Sequence, residues 1–196
     1  MNILIVYDSR LGSVQKMARL IARGVESLDD CNAVVRTVPS VSTNAANKAE
    51  LAEFGDAFVS EDDLKECGAL ILGSPTRFGN MSASMKFFLD STSSLWMSGS
   101  LSGKPAAVFT SSSSMHGGQE STLLSMLNPL LHHGMLICGL PFTEHALSKT
   151  TTGGTPYGAS HVAGSANNNP ISDDEKALCI ALGKRVAGFA KALKLS

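Results

Sequence analysis

Short unbroken apolar runs alternate along the chain with longer stretches whose apolar residues recur every three or four positions. The first run, residues 3–7, reads Ile-Leu-Ile-Val-Tyr with no polar interruption, the mark of a strand covered on both faces. After a turn, Val14, Met17, Ala18, Ile21 and Val25 share one helical face while Gln15, Lys16, Arg19 and Arg23 take the other. Residues 33–38 predict a second strand closed by Pro39, with Arg36 marking an edge or near-edge position. Residues 69–72, 106–109 and 135–138 predict the third, fourth and fifth. Helices are expected to end near Asp90, carrying Met85, Phe88 and Leu89 inward, and near His132. The last begins at Ser172, Asp173, Asp174 and Glu175, a capping box, with Lys191 and Lys194 at its cation-favouring end. Residues 40–66 are a polar connection with a short helix capped by Ser60 and a solvated acidic face at Glu61, Asp62 and Asp63. Residues 141–170 are Gly-, Thr-, Asn- and Pro-rich, too long for a bare connector, and predict a functional or subunit-contacting excursion. The alternation as a whole predicts an α/β fold: one domain over residues 1–196, a doubly wound five-stranded parallel sheet with helices on both faces.

Three loops fall on the carboxyl edge of that sheet, where doubly wound folds bind ligands. Residues 9–14 (Ser9, Arg10, Leu11, Gly12, Ser13, Val14) leave a buried strand and open a helix, so free amides and the positive helix end converge on a point that suits a phosphate. Neither G-x-G-x-x-G nor G-x-x-x-x-G-K-[ST] is present, which leaves a Ser/Gly loop for a mononucleotide. Asp8 is expected to point away from such an anion. The second loop holds Pro75, Thr76, Arg77 and Phe78, and the third Ser111, Ser112, Ser113, Ser114, Met115, His116, Gly117 and Gly118. Four serines followed by Met-His-Gly-Gly between a buried strand and a helix are hard to explain as a linker.

Charge narrows the field. Sixteen basic against seventeen acidic residues leave a net charge of −1, which offers no footing for nucleic acid or an anionic membrane. No apolar stretch approaches a membrane span, and the N-terminus carries no export signal. Cys31, Cys67, Cys138 and Cys179 lie far apart, without C-x-x-C or metal-ligand spacing, and read as reduced thiols of a cytoplasmic protein.

Several segments resemble the flavodoxin-like NAD(P)H:quinone oxidoreductases named for the tryptophan-repressor-binding protein. They are Gly73-Ser74-Pro75-Thr76-Arg77-Phe78-Gly79-Asn80-Met81, Leu95-Trp96, His116-Gly117-Gly118-Gln119-Glu120, His132-His133-Gly134-Met135 and Gly153-Gly154-Thr155-Pro156-Tyr157-Gly158. The resemblance spans essentially the whole chain. It implies FMN, with the phosphate in residues 9–14 and the ring between residues 75–78 and 111–117, His132 near the ring and Trp96 walling the substrate side. Only one of His132 and His133 can face the flavin, since adjacent helical residues point about 100° apart. The chain departs from the family pattern at Leu11, where many members carry tyrosine, and at Ser13, which replaces a larger polar residue.

The function implied is two-electron, ping-pong reduction of a quinone by NADH or NADPH, with flavin N5 carrying the chemistry and no side chain acting as catalyst. Homotetramers, or dimers, are implied, with neighbouring subunits completing the cleft. Two other readings stand beside it. A flavodoxin-type single-electron carrier would want an acidic docking surface, and a net charge of −1 supplies little of one. A non-catalytic interaction protein would want a recognition element, and the chain shows no DNA-reading motif.

Overall fold

The computed structural model of the chain describes residues 1–41 and 55–193. Five strands come first in the argument: β1 (Asn2–Tyr7), β2 (Asn32–Thr37), β3 (Ala69–Pro75), β4 (Pro105–Ser112) and β5 (Leu136–Ile137). They pair in parallel in the order β2-β1-β3-β4-β5, so the chain winds outward from β1 to β2, then reverses to β3. That reversal opens a crevice between the loops after β1 and β3, the position where such sheets take ligands. β2 lies at the edge and stays half-buried along most of its length, which its Arg36 foreshadowed.

Strand side chains alternate between two cores. Ile3, Ile5, Tyr7, Ile71 and Phe109 point to one face, covered by α1 (Ser13–Glu26) and a long C-terminal helix. Leu4, Val6, Leu70, Leu72 and Val108 point to the other, covered by α3 (Ala83–Asp90), α4 (Ser93–Met97) and α5 (Gln119–His132). A continuous apolar run therefore feeds two layers at once. The short α2 (Glu61–Glu66) begins on Ser60, whose hydroxyl accepts from Asp63 N while the Asp63 carboxylate reaches back, a complete capping box.

Two expectations change. The fifth strand is split: β5 pairs only with Pro105 and Ala106, and the chain then leaves the sheet through α6 (His145–Lys149). It returns as β6 (Ala159–Val162) beside the far half of β4, Phe109 to Ala159 through Ser112 to Val162. The Gly/Thr/Asn/Pro-rich excursion thus contains a sixth strand, which its composition hid because β6 is only four residues long. Second, β4 runs on through Ser111 and Ser112, both buried, so these serines are strand rather than loop. Trp96 lies on the short helix α4. The C-terminal helix α7 (Asp173–Leu193) starts where expected; Lys194, like the Asn- and Ala-rich start of the polar connection at residues 42–54, lies outside the described residues.

Candidate cofactor site

Two helices meet the crevice with their N-termini, and both start unusually. α1 and α5 begin on glycines in the left-handed region, Gly12 at φ 87° and Gly118 at φ 91°, and neither has a side-chain cap. By contrast, α2 and α3 are capped by the hydroxyls of Ser60 and Ser82. In the loop before α1, the backbone N–H groups of residues 10–14 find no acceptor among the described residues. No acidic residue occupies the first turn of α1. Unpaired amides and an uncompensated dipole at one point form an anion receptor. Ser9 Oγ accepts from Gln15 N at 3.4 Å, closing the loop on itself.

The other two loops are knitted from within. Thr76 N donates to Ser111 O at 3.0 Å, and Arg77 and Asn80 exchange backbone bonds of 2.8 and 3.0 Å, making a tight turn. At its tip Phe78 takes φ 52° and is fully exposed. Below it, Thr110 Oγ1 donates to Ser74 O at 2.7 Å, tying β3 to β4. In the loop after β4, the Ser114 carbonyl collects Ser112 Oγ, Gln119 Nε2 and Gly117 N at 2.8, 2.9 and 3.3 Å. These bonds hold the loop open without help from a ligand.

Together the loops enclose a cavity of about 190 Å³. Ser9, Arg10, Leu11, Ser13, Val14, Pro75, Thr76, Arg77, Ser111, Ser112, Ser113 and Gly117 line it, as the sequence places them. Gly12 shapes the loop as N-cap. Asp8 does not line the cavity, and Arg77 stays at the exposed rim with Nη1 donating to Thr76 O at 2.8 Å. Met115 and His116 turn into an adjoining hollow of about 390 Å³ shared with Thr152 and Thr155. Phe78 and Ser114 line neither. Three residues that sequence reasoning missed, Gly164, Ser165 and Asn167, also line the cavity, beside the loop of residues 9–14. The available signal was a Gly/Asn-rich turn after β6, since Asn167 adopts φ 53°.

The residues present fit a phosphorylated flavin: an anion receptor at one end, two preformed loops at the other, and between them no carboxylate, histidine or thiol. The site is electrostatically open to an anion, with Arg10 and Arg77 the ionisable linings among the described residues.

His132 and Trp96 stand elsewhere. His132 is the last residue of the 14-residue α5, so it lies about 20 Å along the helix from the loop where α5 begins. Gly103 N donates to Gly134 O at 2.9 Å, fixing this end beside the start of β4, opposite the cavity. There Trp96 stacks on His132, ring centroids 5.5 Å apart, over a hollow of about 280 Å³ that His133 also lines. The chain thus separates two residues that were expected beside the flavin from the cavity of the same subunit. His133 is turned inward: Thr92 Oγ1 gives its proton to Leu89 O, so His133 Nε2 donates to Thr92 at 2.9 Å. Burial, and then the nearby His132, lower the His133 pKa.

Residues 1–142 match the family described as NADPH-dependent FMN reductase. A protein of Syntrophobacter fumaroxidans named NAD(P)H dehydrogenase (quinone) is 43% identical over 201 residues, covering 98% of each chain. One of Geotalea daltonii with the same name is 41% identical over the full length of both. Among solved structures, the flavodoxin, WrbA-like protein from Agrobacterium tumefaciens superposes with a TM-score of 0.68 at 26% identity, covering 98% of this chain and 99% of that one. A match over most of the chain, together with full-length relatives above 40% identity, establishes that this chain belongs to the NADPH-dependent FMN reductase family.

Proposed function

We propose that this chain is an FMN-dependent NAD(P)H:quinone oxidoreductase. The observation that carries the reading is the cavity at the β1/β3 reversal, anion-receptive at one end and, among the described residues, lined by no carboxylate, histidine or thiol. A site of that kind needs its chemistry brought in. FMN supplies a two-electron acceptor and donor between nicotinamide and quinone when bound. The chain's own residues bind and orient. Ser9 and the amides of residues 10–14 hold the phosphate, while Pro75, Thr76 and Arg77 face the loop of residues 111–117 across the ring. The positive end of α5 favours negative charge at the near edge of the ring. Protons for the departing hydroquinone come from solvent or from a histidine of an adjoining chain, and the two substrates use the cleft in turn.

We infer further that the active form is a homotetramer in which Trp96 and His132 of one subunit wall the substrate side of another subunit's cavity. Support comes from their position at the far end of α5 and from apolar side chains left exposed on the helices of that face: Phe87 on α3, Met97 on α4, and Leu124 and Leu131 on α5. Such a patch wants a partner. We assign the protein to the cytoplasm, where NAD(P)H is at hand and its four free, buried cysteines stay reduced. Among the described residues no helix is long and apolar enough to cross a membrane.

The test is direct. Purified protein should show flavin absorbance near ~450 nm and oxidise NADH or NADPH with benzoquinone, giving parallel double-reciprocal lines. FMN-loaded protein that fails to turn over, yet exchanges single electrons with redox partners, would establish the carrier reading in its place.

A further inference from the structure

We propose that Asn167 is a positioning residue for the phosphate end of the cavity: its side-chain amide holds the loop before α1 in the shape that receives an anion. Asn167 sits on the turn of residues 163–169, at the end of the excursion, yet both ends of its amide engage the loop of residues 9–14 across more than 150 positions of sequence. The Leu11 carbonyl oxygen only accepts, so the group facing it at 3.2 Å is the Asn167 Nδ2 donor. That leaves Asn167 Oδ1 to accept from Ser13 Oγ at 3.1 Å. The amide has no other orientation that makes both bonds.

Each bond has a consequence for an anion. The Leu11 C=O and the Gly12 N–H belong to one planar trans peptide and point opposite ways. Drawing the carbonyl toward Asn167 removes a negative dipole end from the receptor and turns the Gly12 N–H to the other side, where it has no acceptor among the described residues. The Ser13 hydroxyl, committed to Asn167, leaves the amide groups at the start of α1 to meet the ligand.

Asn167 is itself held. Its own N–H donates to Gly164 O at 3.0 Å; Asn169 bonds back to Ala163 O at 3.0 Å and, through Nδ2, to Val162 O at 3.1 Å. Ala163 N donates to Ser112 O at 2.8 Å. One continuous series of bonds therefore runs from the end of β4, through the turn after β6, to the loop before α1. The split fifth strand places a side chain where an unbroken strand would have no residue to offer.

This inference rests on the FMN reading above, and flavins that differ only in the phosphate separate the two. Because Asn167 has φ 53°, Asn167→Gly removes the amide without straining the backbone. Fluorescence titration should show FMN affinity lowered about tenfold, the scale of one or two hydrogen bonds, with riboflavin affinity unchanged. Asn167→Asp keeps an acceptor for Ser13 but sets a carboxylate beside the anion. It should weaken FMN further, more so at low salt, and again spare riboflavin. Thermal melting of the apoproteins confirms that both variants fold. Loss of FMN and riboflavin affinity by one common factor, or of neither, overturns the proposal while wild-type FMN binding stands. Wild-type protein that takes up no FMN overturns the cofactor reading as well.

Discussion

Glu175 is buried to about 1% exposure and accepts four donors: Gly153 N and Val162 N on one oxygen, Ser172 N and His161 Nδ1 on the other, at 2.8 to 3.0 Å. Burial by itself would raise its pKa; the His161 bond and the backbone amides of Ser172 and Val162 outweigh it and hold the carboxyl down to about 2. A carboxyl depressed in the folded state stabilises the fold above its unfolded pKa near 4.5, and that contribution is lost as pH falls toward about 2. Urea unfolding at pH 7, 5 and 3 should therefore show stability falling most steeply below pH 4.5 in the wild type. The Glu175→Ala variant, leaving His161 and three amides unpaired, should lose about 3–5 kcal/mol at neutral pH and flatten that acid limb. A variant as stable as the parent would refute the pin. Ser172 and Glu175 were legible as a capping box, because caps are local. His161 and Gly153 as additional partners were not, since nothing in their neighbourhoods announces a contact made through tertiary structure.

At the scale of elements, caps distinguish two kinds of helix. α2 and α3 carry their own serines, whereas α1 and α5 begin on bare left-handed glycines and point open N-termini at the cavity. If a bound phosphate and flavin serve as the missing caps, saturating FMN should stabilise the protein by about 2.7 kcal/mol at one hundred times its Kd. Amide exchange should slow most in the first turns of α1 and α5. Gly12→Ala puts a Cβ on a residue at φ 87°, which costs about 1–2 kcal/mol in that conformation. Calorimetric titration should show FMN binding about tenfold weaker, with the melting temperature of the apoprotein lowered only slightly. Undiminished FMN affinity would mean that this loop is not the phosphate seat. The glycines were visible in the sequence as turn residues, but the absence of caps acquires meaning only once both helices are seen to face one cavity.

For the whole molecule, the decisive fact is length. An α5 of 14 residues puts the Trp96–His132 pair about 20 Å from the loop where α5 starts, so one chain cannot bring both to the same substrate. Trp96→Ala should leave FMN affinity unchanged and raise KM for benzoquinone about tenfold, the loss of one aromatic wall. Assayed at limiting FMN and limiting benzoquinone, mixed tetramers of Trp96→Ala and Gly12→Ala chains should be more active than the mean of the two parents, because some cavities then pair an intact loop with an intact tryptophan. Activity should also fall on dilution below the assembly concentration. Hybrids no better than the mean of their parents would place the pair outside the substrate site.

The chain order of β1 to β5 and the helices between them, the two-faced burial of β1 and β3, the caps at Ser60 and Ser172 and the three ligand-edge loops follow from the sequence alone, because each depends on neighbours a few residues away. Tertiary structure decided the rest. It split the fifth strand, carried β4 through Ser111 and Ser112, brought Asn167 against Leu11 and Ser13, and moved His132 to the far end of the sheet. Those outcomes turn on which distant segment reaches an open hydrogen-bonding edge and on where the sheet lays the far end of α5, a helix whose extent the sequence itself predicts. Local propensity encodes neither.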